Sequence, residues 1–226
     1  MSALPHQFKF EPQPTFSTAC VSYQLTDLTE IYKGDVNLCV VNRTVDTEIH
    51  HFVHELFAAQ RHVSVIENFN VAGFDFENLL PQAKQLRGYS EFHKDIEHLV
   101  TVFCELFDLQ TVGLRLGMFD KAMCPKFHVD HVPCRLVCTY GGIGTEWIED
   151  RYINRTKLGV GSGGLTDDKS GLIQADLDVI NTTPAYAIGL LKGSKWEGSE
   201  QNGAVHRSPK VTENAPYRLL LTLDFA

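Results

Sequence analysis

The sequence has no long apolar stretch, no excess of basic residues and no apolar leader, and each absence excludes a class of protein. No run approaches the roughly 18 apolar residues that a membrane-spanning helix needs. The first ten residues lack the apolar core of a signal peptide. The formal net charge of −8 argues against a broad electrostatic surface for nucleic acid or anionic lipid. We therefore expect a protein that binds neither nucleic acid nor membrane.

The sequence also lacks the paired C-x-x-C motif that structural zinc sites usually contain. Its six cysteines stand singly, at Cys20, Cys39, Cys104, Cys124, Cys134 and Cys138. Scattered cysteines in a chain without a secretion signal are typical of reduced, mostly buried thiols, which predicts a cytoplasmic protein. A zinc site built from Cys124, Cys134 and Cys138, with His128 as a further ligand, is the weaker alternative.

The N-terminal half shows helical spacing of its apolar residues. Residues 1 to about 20 have no periodic pattern and predict an extended arm. A β-branched apolar run at 35–42 predicts a buried strand, and 72–86 predict a loop plus a helix. Apolar residues three and four apart predict amphipathic helices at 47–61 and 90–107, the second capped by Ser90. We expect residues 1–110 to form a mixed, largely helical support.

After Asp108 the spacing of the apolar residues changes to alternation and short runs, separated by turn residues. Strands are predicted at 112–119, 127–132, 135–140, 144–148, 184–191, 203–206 and 217–225. Short strands without intervening helices favour an antiparallel sandwich or barrel over residues 111–226, in one compact unit with the N-terminal half. The glycine-rich segment 152–178 interrupts this pattern, and its length favours a functional insertion or lid.

The string His128-Val129-Asp130 carries the clearest chemical signal. Side chains two apart on a strand project from one face, so His128 and Asp130 are expected to lie together. His206, on a later predicted strand, would complete a set of two histidines and one carboxylate. That set leaves three positions of a metal open and suits non-haem Fe(II), although zinc and manganese also fit it.

The order of these residues, with Arg218 on the last strand, resembles the Fe(II)/2-oxoglutarate oxygenases with a double-stranded β-helix. The resemblance implies that His128, Asp130 and His206 hold a catalytic Fe(II) and that Arg218 binds the distal carboxylate of 2-oxoglutarate. That family commonly has a serine or threonine two residues after the arginine, whereas this chain has Leu220. Thr222 is the next residue on the same face and an alternative hydroxyl.

Four neighbouring residues have subsidiary roles in this interpretation. Arg135 and Arg207 are alternative anchors for the co-substrate. His131 is expected to point to the opposite strand face from Asp130, and so to support the site or the core rather than bind metal. Glu146 is a candidate substrate contact.

Three longer strings, at 124–140, 144–147 and 204–209, are similar to the bacterial domain-of-unknown-function family eighteen-twenty-six. That family has no established reaction, and its members are often associated with CobW-type GTPases linked to zinc supply. Together the resemblances imply an α+β fold, with a helical N-terminal portion packed on a C-terminal jelly-roll or cupin-like barrel. The expected function is an Fe(II)/2-oxoglutarate-type oxygenase with a small-molecule or protein substrate. A non-catalytic zinc-binding or metal-homeostasis protein is the alternative.

Overall fold

A computed structural model of the protein describes residues 16–59 and 62–226. Its larger sheet has seven strands in the order β1-β2-β8-β5-β10-β4-β3, and its smaller sheet has three in the order β7-β6-β9. In chain order the strands and the two α-helices are β1 (Thr18–Ser22), β2 (Val36–Val41), α1 (Thr47–Ala58), β3 (Ser64–Asn70), α2 (Tyr89–Phe107), β4 (Thr111–Phe119), β5 (Cys134–Gly141), β6 (Glu146–Trp147), β7 (Asn181–Thr182), β8 (Ile188–Lys192), β9 (His206–Arg207) and β10 (Arg218–Phe225). Strands β1 and β2 pair in parallel, and every other pair in the two sheets is antiparallel. No helix among the described residues has the length and apolarity needed to cross a bilayer.

Helices α1 and α2 cover one face of the larger sheet because each has a continuous apolar stripe. Asp46 begins α1 by accepting a hydrogen bond from the backbone N–H of Glu48 at 2.9 Å. The buried stripes of the two helices belong to one apolar core with alternate residues of the central strands, such as Leu219 and Leu221 of β10. This core holds the sheet rigid behind the opposite face.

The opposite face of the larger sheet carries the polar residues of the central strands. Alternation along β10 directs Arg218, Leu220 and Thr222 to the same cavity, and Arg135 and Val137 of β5 line it as well. The smaller sheet packs over this face: Trp147 of β6 shares a buried apolar cluster with Val137 and Leu220. The cavity therefore lies between two packed sheets.

Most of the predicted elements are present, with corrections at several places. The helices predicted at 47–61 and 90–107 correspond to α1 and α2; positions 60 and 61 are outside the described residues. Ser90 lies inside α2, whose N-cap is Gly88. The predicted helix in 72–86 consists of two short 3₁₀ turns. Of the predicted N-terminal arm, residues 1–15 are outside the described part, and Thr18–Ser22 forms a strand instead.

The larger sheet draws β1, β2 and β3 from the sequence before residue 111 and its other four strands from after it. The strand β3 has no counterpart among the predictions. The fold is mixed α+β and dominated by sheet, and the sheet runs through the predicted division at residue 110. The division into two regions at that position stays a prediction.

Candidate metal centre

The predicted strand at 127–132 is wrong, because this segment forms only a single β-bridge. His128 and His206 exchange two backbone hydrogen bonds, each 3.0 Å long. Beyond His128 the backbone leaves the partner strand, and the carbonyl of Asp130 accepts from the N–H of Ser194 at 2.8 Å. Residues 128–133, here called the ligand loop, are thus held by backbone hydrogen bonds from a turn at 193–195 rather than by pairing with a neighbouring strand.

Three side chains converge where the ligand loop meets β9. Nε2 of His128 lies 3.5 Å from Oδ1 of Asp130, and Nε2 of His206 lies 3.4 Å from Oδ2 of Asp130. One ligand atom from each of the three residues falls within 4.8 Å of the others. Among the described residues, this is the one group of three or more histidine, cysteine or acidic side chains with such spacing.

Backbone carbonyls fix the orientation of both imidazole rings. Nδ1 of His128 lies 2.9 Å from the carbonyl oxygen of Lys126, and Nδ1 of His206 lies 3.1 Å from that of Ala204. Since a carbonyl oxygen only accepts, Nδ1 must carry the proton in each ring. In the neutral ring Nε2 then carries the lone pair that a metal ligand requires, whereas in the protonated ring Nε2 donates to the Asp130 carboxylate instead.

The three groups shift one another's pKa values. Burial alone would raise the pKa of Asp130, but hydrogen bonds from the two histidines and the charges of His206 and Arg135 hold it far below its usual range. Burial alone would lower the pKa of His128, but its hydrogen bonds to Asp130 and to the Lys126 carbonyl raise it above the ordinary value. The carboxylate is therefore ionised, as cation binding demands.

Arg135 supports Asp130 from the floor of the cavity. Its Nη1 donates to Oδ2 of Asp130 at 2.8 Å, and its Nε and Nη2 donate to both carboxylate oxygens of Asp224 at 2.7 Å. This geometry fixes one oxygen of Asp130 and leaves Oδ1 with no protein donor other than the neighbouring His128 ring among the residues described. A cation held by the three side chains would use that free oxygen.

Arg218 is a buried cation with no carboxylate partner within the described ranges. Only 4% of the residue is exposed, and its Nη2 donates to Thr145 Oγ1 at 2.6 Å and to Thr139 Oγ1 at 3.2 Å. Its Nε has no hydrogen-bond partner among the residues that the structure describes. Burial lowers the pKa of Arg218 to about 10, and the charge of Glu146 offsets only part of that effect. The guanidinium therefore stays charged near neutral pH, although no carboxylate among the described residues pairs with it.

The three candidate ligands and Arg218 line the same cavity. Its volume is about 210 Å³, and its walls include apolar side chains such as Val137, Leu220 and Phe119. At the open side lie Ile66, which is 71% exposed, and Met123, which is 56% exposed. The cavity that contains the three candidate ligands and the Arg218 guanidinium thus opens to solvent through an apolar rim.

The other residues singled out in the sequence have different surroundings. Arg207 is paired with Glu146 at 2.5 Å and with Asp167 at 3.0 Å, and Arg135 with Asp130 and Asp224, so neither is a free anchor. The carboxylate of Glu146, the candidate substrate contact, is therefore in a salt bridge with Arg207. His131 is exposed and lies 2.9 Å from Ser194 Oγ, which excludes the predicted core position.

The cysteines do not form the alternative zinc site, because they are absent from the one metal-binding group found among the described residues. All six thiols are free; Cys134 and Cys138 are buried, whereas Cys124 is exposed at the cavity wall. Burial raises the pKa of Cys134 and brings that of Cys138 to about 11, so both thiols stay protonated near neutral pH.

Two contributors to the site were missed in the sequence, and a third was given another role. Asp224 continues the period-two pattern of Arg218 and Thr222 along β10, so that pattern could have identified it. Thr145 falls in the predicted strand 144–148, but it lies in the loop before β6, and nothing in the sequence indicated its contact with Arg218. Arg135, predicted as an alternative co-substrate anchor, instead supports Asp130.

Solved structures align with this chain at low sequence identity. A putative oxygenase from Shewanella oneidensis aligns with a TM-score of 0.50 and 11% identity, over 93% of this chain and 89% of that one. A full-length Neurospora crassa protein in complex with alpha-KG aligns with a TM-score of 0.49 and 12% identity, over 89% and 78% of the two chains. A rice dioxygenase for auxin oxidation aligns with a TM-score of 0.47 and 11% identity, over 92% and 82%.

The sequence itself identifies the family. No curated protein sequence matches the chain significantly. One family model, however, covers residues 22–224, which include the ligand loop, β9 and most of β10. The chain therefore belongs to the family described as protein of unknown function (DUF1826).

Proposed function

We propose that this protein is an Fe(II)-dependent oxygenase that uses 2-oxoglutarate as co-substrate, built on a double-stranded β-helix. The observation that carries the proposal is the presence, in one cavity, of a possible three-ligand metal set and a buried arginine without an anionic partner among the described residues. The fold shared with the Shewanella protein supports the architecture. The residues present fit an Fe(II) centre, since two neutral imidazoles and one carboxylate suit this metal.

Each residue of the centre has a defined task in this proposal. His128 and His206 bind the metal through Nε2, while the Lys126 and Ala204 carbonyls hold the Nδ1 protons. Asp130 binds through the oxygen that Arg135 leaves free. Bound Fe(II) would let O2 act as the oxidant: one oxygen atom would enter a substrate C–H bond, and the other would enter the succinate formed as 2-oxoglutarate loses CO2.

Arg218 binds the distal carboxylate of the co-substrate. Both N–H groups of Nη2 are donated to Thr139 and Thr145, whereas Nε has no hydrogen-bond partner among the described residues. The carboxylate would accept from the donors that the threonines leave free, Nε among them, and burial strengthens this charge-assisted contact by excluding water. The hydroxyl commonly found two residues after this arginine is replaced by Leu220, but Thr145 places a hydroxyl on the same guanidinium. Leu220 and Val137 provide apolar walls that keep bulk water from the reacting groups.

The substrate approaches through the open side of the cavity. Ile66 and Arg115 are cross-strand neighbours on β3 and β4 that line this side, together with Met123 and Phe119. The part of the substrate that is to be oxidised enters through this opening, while the rest of the substrate stays outside the cavity. The chemical identity of the substrate is set by contacts at this opening.

The direct test is anaerobic addition of Fe(II) and 2-oxoglutarate to the metal-free protein. We expect the visible absorption band of an iron–keto acid chelate, and slow succinate formation when oxygen is admitted. Asp130→Ala and His206→Ala should abolish the band, whereas His131→Ala, a matched change at an exposed neighbour, should retain it. A wild-type protein that takes up metal but gives neither band nor succinate contradicts the oxygenase.

A metal-binding protein without catalysis is the second candidate, and Leu220 is the observation that favours it. In that case the same three ligands hold zinc, and Arg218 binds a different anion. Tight zinc with no response to 2-oxoglutarate would support this candidate. A functional link to a CobW-type GTPase is part of this second proposal and is tested by co-purification of the two proteins.

A further inference from the structure

The segment 152–178 packs directly behind the two chain segments that carry the candidate ligands. Ile153 and Leu172 of this segment share a buried apolar cluster with Phe127 and Val205. Phe127 precedes His128, and Val205 precedes His206. The ends of the segment are joined by backbone hydrogen bonds at 2.7 and 2.8 Å, which close it into a compact unit. Its position is that of a support, not that of the lid expected from its glycines.

Asp167 is the polar centre of this contact. Only 8% of the residue is exposed, and its Oδ2 accepts hydrogen bonds from the backbone N–H of Phe127 and from Nη1 of Arg207, each at 3.0 Å. Arg207 follows His206 directly, and its guanidinium lies 4.2 Å from the centre of the Phe127 ring. The Asp167 carboxylate therefore joins Phe127, the residue before His128, to Arg207, the residue after His206.

We propose that Asp167 is a positioning residue of the metal centre, and that segment 152–178 is the brace that presents it; the inference rests on the metal site of the proposed function. The two histidine segments are otherwise joined by this two-bond bridge and by the Ser208 N–H, which donates to the Cys124 carbonyl at 2.9 Å. All three of these hydrogen bonds run between main chains. Asp167 adds a side-chain link, because its carboxylate binds the Phe127 N–H on one segment and the Arg207 guanidinium on the other.

The charge of Asp167 matters as well as its hydrogen bonds. Arg207 lies next to a cation site, where a free guanidinium would repel the bound metal. Its two carboxylate partners, Glu146 and Asp167, neutralise that charge and keep the side chain directed away from His206. Residues that orient metal ligands typically change metal affinity by about 10- to 100-fold when they are removed.

The test is a titration of the metal-free full-length protein with Mn(II), which needs no turnover and no 2-oxoglutarate. We expect Asp167→Ala to weaken Mn(II) binding by about 10- to 100-fold. Asp167→Asn should fall between that variant and wild type, because the amide oxygen still accepts from Phe127 but carries no charge. Asp168→Ala, which removes the exposed neighbouring carboxylate, should bind Mn(II) as wild type does.

A spectroscopic readout separates positioning from a general loss of stability. The ligand-field absorption of bound Co(II) should change in both Asp167 variants and be unchanged in Asp168→Ala. Wild-type Mn(II) affinity and an unaltered Co(II) spectrum in the Asp167 variants would overturn the proposal, even if they unfold at lower temperature. Should Asp167→Ala not fold, the result for Asp167→Asn decides alone. Failure of the oxygenase would appear separately, as absent succinate in a wild-type protein that binds metal.

Discussion

Replacing Arg218 by methionine should stabilise the ligand-free protein, although the residue is almost fully buried. The fall of the Arg218 pKa to about 10, against an ordinary value of about 12.5, corresponds to roughly 3 kcal/mol at about 1.4 kcal/mol per pKa unit. That is the approximate cost of holding the guanidinium charged in this cavity. Methionine removes the charge and fills similar volume, so we expect a gain of about 1–3 kcal/mol in the free energy of unfolding.

The same substitution should weaken the response to 2-oxoglutarate. Hydrogen bonds to charged groups contribute about 1.5–3 kcal/mol each, so losing one such bond lowers affinity by about 10- to 100-fold. In wild type, ligand at about 100 times its dissociation constant adds about 2.7 kcal/mol of stability. Arg218→Met should gain no more than about half of that, and Arg218→Lys should lie between, because lysine keeps the charge without the planar guanidinium.

Thermal unfolding with and without 2-oxoglutarate measures both effects, with Mn(II) present to prevent turnover. A shift of about 2–4 °C per kcal/mol is expected for a chain of this size, so the changes are measurable. Arg218→Met would have to melt above wild type without the keto acid and to gain less from saturating keto acid than wild type does. A variant that melts below wild type both with and without 2-oxoglutarate would refute the assignment of Arg218 as an unpaired buried charge that binds the keto acid.

Two further predictions concern the metal ligands and their loop. Because its hydrogen bonds to Asp130 and to the Lys126 carbonyl raise the pKa of His128, a cation must displace a proton from that ring in acid. Mn(II) affinity should therefore rise by up to about tenfold per pH unit through about pH 6.5, the ordinary histidine pKa, and level off only above it. A flat profile from calorimetry across that range contradicts the prediction. In Gly193→Ala the new Cβ would clash with carbonyl oxygens of the ligand loop, that of Asp130 among them; we expect unfolding free energy to fall by about 1–3 kcal/mol and Mn(II) binding to weaken. Gly34→Ala, with open space around the new atom, is the control and should match wild type.

The helices and the central strands were predictable because burial imposes a period on them. The stripes of α1 and α2 and the apolar runs of β4, β5 and β10 repeat at the spacing that their packing requires. β3 was missed because it lies at the edge of the sheet, where most of its residues are exposed and Glu67 and Asn68 break the apolar pattern. Its place in the sheet depends on pairing with β4, which no local signal specifies.

The candidate ligands were recognisable from the sequence, but the structure that holds them was not. His128 and Asp130 were assigned one face by strand alternation, yet the segment bends away from its partner after one bridge. They still converge, because the turn at 193–195 fixes the loop from a distant position in the chain. The hydroxyl of Thr145 and the carboxylate of Asp167 reach the site only through the folded arrangement.

The reciprocal backbone pairing of His128 with His206 has a consequence for the proposed metal ion. Two candidate ligands whose main chains are already joined would need little ordering when an ion binds, so the entropic cost of binding would be small. Loss of the ion would leave the pocket assembled instead of unfolding the domain around it. Under the proposed function, the protein would then lose and regain its metal repeatedly, and its occupancy would follow the free concentration of the ion.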